Sequence, residues 1–360
     1  MFAGRRICGR WPQGPLPGNG NRNGRTTVVH RRYGSPVMPE RSSLVAELVD
    51  SFPELREYFR TALLLEPQPG EPGPHESSVG GPLLWPADEE WPVCKEDHLV
   101  GHHEDLSAEE RSVLEGARRT GAERRSGGNS VLTEEEASAY DRISARGGVI
   151  DTVSWQVHSL RPETPATGVA MVPVLQLFAG DVPGVEWPEG TDLLQILWCP
   201  NDHDTPPGQE PYYFGPTVAL RRRRAGDVRD VLASPPAPCR TADHYYLPRP
   251  CTVAPVESLD LPDRDELPPD LWERVERWRG GAGRTDYYDL ACVQGWKLGG
   301  WPTWRVTDLE EIDCVCGSRM RLFLTIDSDD APGLVIGRGG RLQVFQCPED
   351  IGHPLRLNTQ

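Results

Sequence analysis

The sequence predicts an α+β fold of two pseudo-repeated, mainly antiparallel β units with peripheral helices and an inserted helical arm. Three observations predict it. The chain says one thing twice: Leu194-Gln195-Ile196-Leu197-Trp198-Cys199-Pro200-Asn201-Asp202-His203 returns as Leu342-Gln343-Val344-Phe345-Gln346-Cys347-Pro348-Glu349-Asp350, followed by His353. An internal copy of this kind constrains architecture more than any single residue does. Short apolar runs of strand length recur at 169–178, 193–199, 216–220, 320–326 and 341–347, and helix signals gather elsewhere instead of alternating with them.

Residues 1–37 hold seven arginines and no acid, with no helical or strand period, and read as a disordered basic tail or an over-extended start. The rest, 38–360, reads as one domain of two units: 77–220, interrupted by an arm at 95–150, and 285–360, joined by 221–284. Ordered structure begins near Ser43 with helical spacing of Leu44, Val45, Leu48 and Val49. Ser51-Phe52-Pro53-Glu54 reads as a capping box opening a second helix through Leu63. Two more boxes, Ser107 with Glu110 and Thr133 with Glu136, start the polar helices of the arm. A last helix fits 268–278, ending at Gly280-Gly281. Each unit also carries a Gly-Gly segment ahead of its strands: Gly80-Gly81-Pro82-Leu83-Leu84-Trp85 and Gly299-Gly300-Trp301-Pro302-Thr303-Trp304.

Composition narrows the function classes. The 37 glycines and 36 prolines call for many turns, and the net charge is -16. Because the 1–37 segment is basic, the body is more acidic still, which repels phosphate backbones and argues against general nucleic-acid binding. No apolar run approaches the roughly 20 residues that span a membrane, and no apolar segment follows the N-terminal arginines as a secretory signal would require. Nine scattered cysteines do not form a secreted disulfide framework. A cytoplasmic protein with reduced thiols is expected.

The densest chemistry is the C-terminal set Cys314, Cys316, Cys347 and His353. Two ligands on one turn and two on another suit a structural zinc ion in a Cys3His site, stapling the ends of a hairpin. The Cys-x-Cys spacing departs from the usual Cys-x2-Cys, and the plain alternative is that Cys316 and Cys347 are small fillers at strand ends. The first copy offers Cys94, Cys199 and His203, with His98, His102 and His103 near Cys94 in sequence. It lacks a second clear thiolate, so a vestigial site is the alternative there and at most one complete metal site is expected. Asp202, His203 and Asp327 supply an alternative, a metal-dependent hydrolase. Asp327-Ser328-Asp329-Asp330 has no closing glutamate and reads as a solvated turn. No nucleophile elbow, P-loop or His-Glu-x-x-His motif occurs. Gly337-Arg338-Gly339-Gly340 reads as a hairpin turn, and Arg221 to Arg224 as a solvated strand edge. Eleven tryptophans are present. Most suit a core, while Trp85, Trp198, Trp301 and Trp304 could line a ligand cleft.

The segments 78–92, 173–177 and 193–197, with 297–304, 320–329 and 337–345, are similar to the signature strands of the YwqG-like family. The resemblance covers residues 77–350 discontinuously. It implies a bacterial domain with an α+β fold and supplies no catalytic residues. Some members sit near toxin and immunity systems, which implies a binding role. Together these readings give a cytoplasmic interaction module for a protein or small-molecule ligand, with a structural zinc.

Overall fold

The computed structural model describes residues 38–126, 132–151, 153–239, 241, 244–279 and 286–360; the basic 1–37 segment lies outside them. The protein is α+β, with two six-stranded sheets and helices set apart from them. Two compact units are present: residues 99–163, and a main unit holding 38–98 and 164–360.

In the main unit, the first sheet has the order Gln68–Pro69, Cys251–Thr252, Ser78–Val79, Val172–Phe178, Leu193–Trp198, Val218–Arg223. The second runs Val256–Asp260, Arg60–Leu64, Lys297–Gly299, Arg321–Asp327, Arg341–Gln346, Arg356–Thr359. Every ladder in them is antiparallel. The last four positions of the two lists match: a short strand leading into the Gly-Gly segment, two long central strands, then an outer strand. Gly80 and Gly299, which close the short strands, both take left-handed φ, +63° and +65°, where a side chain is disfavoured.

Strand periodicity decides which side chains meet. Leu194, Ile196 and Trp198 share one buried core with Leu342, Val344 and Leu324 of the other sheet, so the sheets pack face to face through their alternate residues. The intervening residues point outward. There Gln195 and Gln343 are fully buried, each beneath its own Gly-Gly segment. Gln195 Nε2 donates to the Leu84 carbonyl and Gln176 Oε1 accepts from the Leu84 N–H, at 3.0 and 2.8 Å. Gln343 alone performs both tasks on Thr303, accepting from its N–H at 2.7 Å and donating to its carbonyl at 3.1 Å. The recurrent glutamine therefore pairs backbone groups that would otherwise be buried unsatisfied.

Some expected elements change. Ser51 does not open a helix. Its hydroxyl donates to the Glu47 carbonyl inside the helix Met38–Ser51, and a 3-10 turn at Pro53–Tyr58 follows without a side-chain cap. Residues Arg60–Leu64 then form a strand, because pairing on both sides by Val256–Asp260 and Lys297–Gly299 outweighs their helical spacing. The expected linker 221–284 supplies strands to both sheets as well as the helix Pro269–Arg279. The unit 99–163 is longer than the expected arm and not purely helical. Besides helices Ala108–Ser126 and Glu134–Ser144 it has a three-stranded sheet and its own small core of Leu106, Leu114, Ile143 and Val157. Both of its capping boxes are formed.

Candidate metal centres

Among the described residues, two groups bring four soft ligand atoms together: Cys94, His98, Cys199, His203 and Cys314, Cys316, Cys347, His353. Within each group all four atoms lie within 4.8 Å of one another. Both lie in the main unit, at the Cys-Pro ends of equivalent strands.

In the first centre, Cys94 ends the strand Val93–Cys94, paired with Val169–Ala170, and His98 follows four residues later. Cys199 comes directly after Leu193–Trp198, its N–H held by the Thr217 carbonyl at 2.9 Å. His203 begins a two-residue strand paired with Phe214–Gly215. All four are buried, none more than 3% exposed. Cys199 Sγ lies 3.2 Å from His98 Nε2, and Cys94 Sγ 3.8 Å from His203 Nε2. The His203 Nδ1–H donates to the Asp97 carbonyl at 2.8 Å, which fixes the tautomer and leaves the Nε2 lone pair facing sulfur. Asn201 Nδ2 donates to Cys199 Sγ at 3.5 Å, and Thr217 Oγ1 is 3.5 Å from Cys94 Sγ. The Cys199 thiol, hydrogen-bonded to Cys94, holds the Cys94 pKa down at about 3, while the same contact and burial push Cys199 up.

The second centre is built on a tight turn and a strand end. The Cys314 N–H donates to the Ser318 carbonyl and the Gly317 N–H to the Cys314 carbonyl, both at 2.9 Å, with Gly317 at φ +86°. Cys347 follows Arg341–Gln346 directly. Cys314 Sγ lies 3.2 Å from His353 Nδ1, and Cys316 Sγ 3.6 Å from Cys347 Sγ. His353 Nε2 is 3.7 Å from Asp350 Oδ2, the second-layer carboxylate that often orients a metal-bound imidazole. Ser318 N–H bonds to Cys316 sulfur and hold its pKa down at about 6. Burial raises the Cys347 thiol, but the His353 ring and the N–H groups of Asp350 and Glu349 outweigh it, leaving Cys347 below its usual range. The Cys316 N–H acts to lower Cys314, yet burial and hydrogen bonds from Cys347 and Cys316 prevail and raise it. The Cys-Pro-x-Asp frame thus presents backbone donors to a thiolate.

A tetrahedral zinc ion with Zn–S about 2.3 Å and Zn–N about 2.0 Å requires sulfur–nitrogen separations of about 3.6 Å and sulfur–sulfur separations of about 3.8 Å. The observed sulfur–nitrogen distances of 3.8, 3.2 and 3.2 Å and the sulfur–sulfur distance of 3.6 Å lie within about 0.4 Å of these values, so each set fits a four-coordinate ion. Two buried sulfurs facing two imidazole nitrogens in the first centre, and three sulfurs with one imidazole in the second, are electron-pair donors converging on one point, an arrangement that a dication satisfies.

At most one complete site is expected from the sequence; the first copy also brings four candidate ligand atoms together, with His98 in place of a second thiolate. A signal for it was present, since Cys94-x3-His98 has the same spacing as Cys199-x3-His203. His102 and His103 lie outside this cluster. His102 pairs with Glu163 at 2.8 Å and His103 packs on His158.

The three hydrolase candidates share no metal-ligand group among the described residues. His203 belongs to the first centre, Asp202 accepts from the Tyr246 hydroxyl at 2.6 Å, and Asp327 accepts from the Gly295 N–H at 3.0 Å beside Arg341. Trp85, Trp198, Trp301 and Trp304 are 0–8% exposed and line no open cleft; they pack the core. Trp85 lies in the apolar cluster of Cys94 and Cys199, and Trp304 in that of Cys314 and Cys347. Nor is Arg223 solvated: it forms a fork on Glu89 at 2.5 and 3.1 Å and lies over the Trp85 ring.

No family model matches the chain, and no curated protein sequence matches it. No helix among the described residues is long and apolar enough to cross a membrane.

Proposed function

We propose that this chain is a binding module of YwqG-like architecture, in which an internally duplicated β scaffold is stapled by two structural zinc ions. One ion is held by Cys94, His98, Cys199 and His203, the other by Cys314, Cys316, Cys347 and His353. The observation that carries this reading is the presence of two four-ligand sets at equivalent ends of the two sheets. Thiolate and imidazole together select zinc over hard cations, and four protein ligands describe a closed, structural site. A hydrolytic centre keeps one position open for water, and neither set is short of a ligand, so a hydrolase using Asp202, His203 and Asp327 has no geometric support.

The partner class follows from charge. With a net charge of -16, the surface suits a basic protein partner, for which electrostatics sets association rate and choice of partner more than affinity. The setting of YwqG-like proteins near toxin and immunity systems is consistent with such a role in the cytoplasm. The test is elemental analysis of the purified chain, followed by thermal unfolding with and without a chelator. Zinc that leaves only as the fold melts supports a staple. Zinc removed with no change in unfolding temperature contradicts it.

A further inference from the structure

We propose that Cys316 and Cys347 form an oxidation site at which a hydroperoxide creates a disulfide and expels the metal from the second centre, leaving the first intact. This rests on the zinc reading above. The two centres differ in access. Cys94 and Cys199 are 3% and 0% exposed and sit among Trp85, Trp91, Leu197 and Met171. Cys316, by contrast, is exposed, at the tip of the turn closed by Cys314 and Ser318. Its neighbour Val315 is also 65% exposed, so the tip of the turn is open to solvent.

The choice of sulfurs follows from the distances. Cys314 faces His353 at 3.2 Å, while Cys316 faces Cys347 at 3.6 Å. A disulfide needs about 2.05 Å, so the gap closes by a small movement of an exposed turn, with Cys347 fixed at a strand end. The Cys316 thiolate attacks one peroxide oxygen and the O–O bond breaks, giving a sulfenic acid and hydroxide (an alkoxide from an alkyl hydroperoxide). The Cys347 thiolate then attacks the Cys316 sulfur, the S–O bond breaks and a second hydroxide leaves. Solvent protonates both leaving groups. The thiolates lose two electrons and the peroxide gains them. The metal keeps only Cys314 and His353, and two ligands do not hold a structural ion.

The experiment treats the full-length chain with hydrogen peroxide beside a chromogenic zinc chelator and maps disulfides by mass spectrometry. One of two bound zinc ions is expected to leave, together with a Cys316–Cys347 linked peptide, and reduction with added zinc restores it. Retention of both ions with Cys316 still alkylatable after chelation overturns the proposal, as does a disulfide joining Cys94 and Cys199. If the untreated chain carries no zinc, the metal reading has failed instead, and the mapping still decides the pairing. His353→Ala keeps all three sulfurs of the centre while loosening the metal, so its oxidation at Cys316 is expected to be faster than in the parent chain. An unchanged rate would show that the metal does not shield the pair.

Discussion

Cys199 and Cys347 occupy the same place in two different sheets. Each directly follows the last residue of a central strand, and each lies four residues after a fully buried glutamine, Gln195 or Gln343. Each sulfur also has another candidate ligand within 3.6 Å: His98 at 3.2 Å and Cys316 at 3.6 Å. The recurring frame thus joins two devices, an amide clamp on the Gly-Gly segment and a cysteine sulfur at the strand end.

Removing one ligand should empty one centre alone. His98→Ala is expected to lower metal content by one ion per chain and to destabilise the main unit by about 4 kcal/mol or more, as loss of a metal site does. His102→Ala, whose partner Glu163 is a part-exposed surface contact, should leave metal content unchanged and shift stability by no more than about 1 kcal/mol. Metal analysis with urea unfolding checks both variants, and equal behaviour would contradict the assignment of His98.

The glutamine clamp is separable from the metal. Gln343→Ala strands the Thr303 N–H and carbonyl in a buried setting, with an expected cost of about 2–5 kcal/mol. Gln343→Glu should be intermediate, because a carboxylate accepts from the N–H but cannot donate to the carbonyl. Denaturant midpoints would show the ranking, with zinc content unaltered in variants that still fold.

A buried ion pair holds the second Gly-Gly segment from the other side. Lys297 Nζ donates to Asp260 Oδ2 and to the Trp301 carbonyl, both at 2.7 Å, while Asp260 also accepts from the Val293 and Trp301 N–H groups. Neither side chain of the pair is more than 1% exposed. Asp260→Ala leaves an uncompensated buried ammonium and should cost about 3–5 kcal/mol. In a double-mutant cycle, Lys297→Met combined with Asp260→Ala should recover part of that loss. Additive losses would mean that the two groups do not depend on each other.

Asp263 gives a pH dependence with a defined sign. Burial raises its pKa above the ordinary carboxylate value. A carboxyl whose folded pKa is raised favours folding in its protonated form, so its contribution is full below the unfolded pKa, near 3.9. It is lost as pH rises through the folded value. Asp263→Asn, which can still accept from the Asp265 N–H, is expected to flatten this loss. The stability difference between variant and parent should therefore grow from pH 3.5 to pH 7; a difference that shrinks over this range would refute the burial argument.

Much of the fold was legible in the sequence because β structure with one face in a core alternates at period two. Leu194, Ile196, Leu342 and Val344 announce their strands, and the repeated Leu-Gln marks where an inward residue is followed by a buried outward clamp. Arg60–Leu64 was not legible as a strand, since its neighbours in the sheet lie far along the chain at Val256–Asp260 and Lys297–Gly299. In the second centre the sequence named all four clustered residues. In the first, three were assigned as ligands and His98 stood only as one of three histidines near Cys94, although Cys94-x3-His98 has the same spacing as Cys199-x3-His203. The tryptophans misled for a different reason: their number shows that they carry much of the apolar mass, but not which side of each ring meets solvent. Trp85, Trp198, Trp301 and Trp304, at 0–8% exposed, are enclosed by four different apolar clusters, and only Trp198 lies in the core shared by the two sheets.

The most direct test of the central claim is native mass spectrometry of the full-length chain, purified without chelator. Two zinc ions per chain are predicted, falling to one in His98→Ala and to one in Cys347→Ser. A parent chain at its metal-free mass, folded and unchanged in stability when zinc is supplied, would contradict the account.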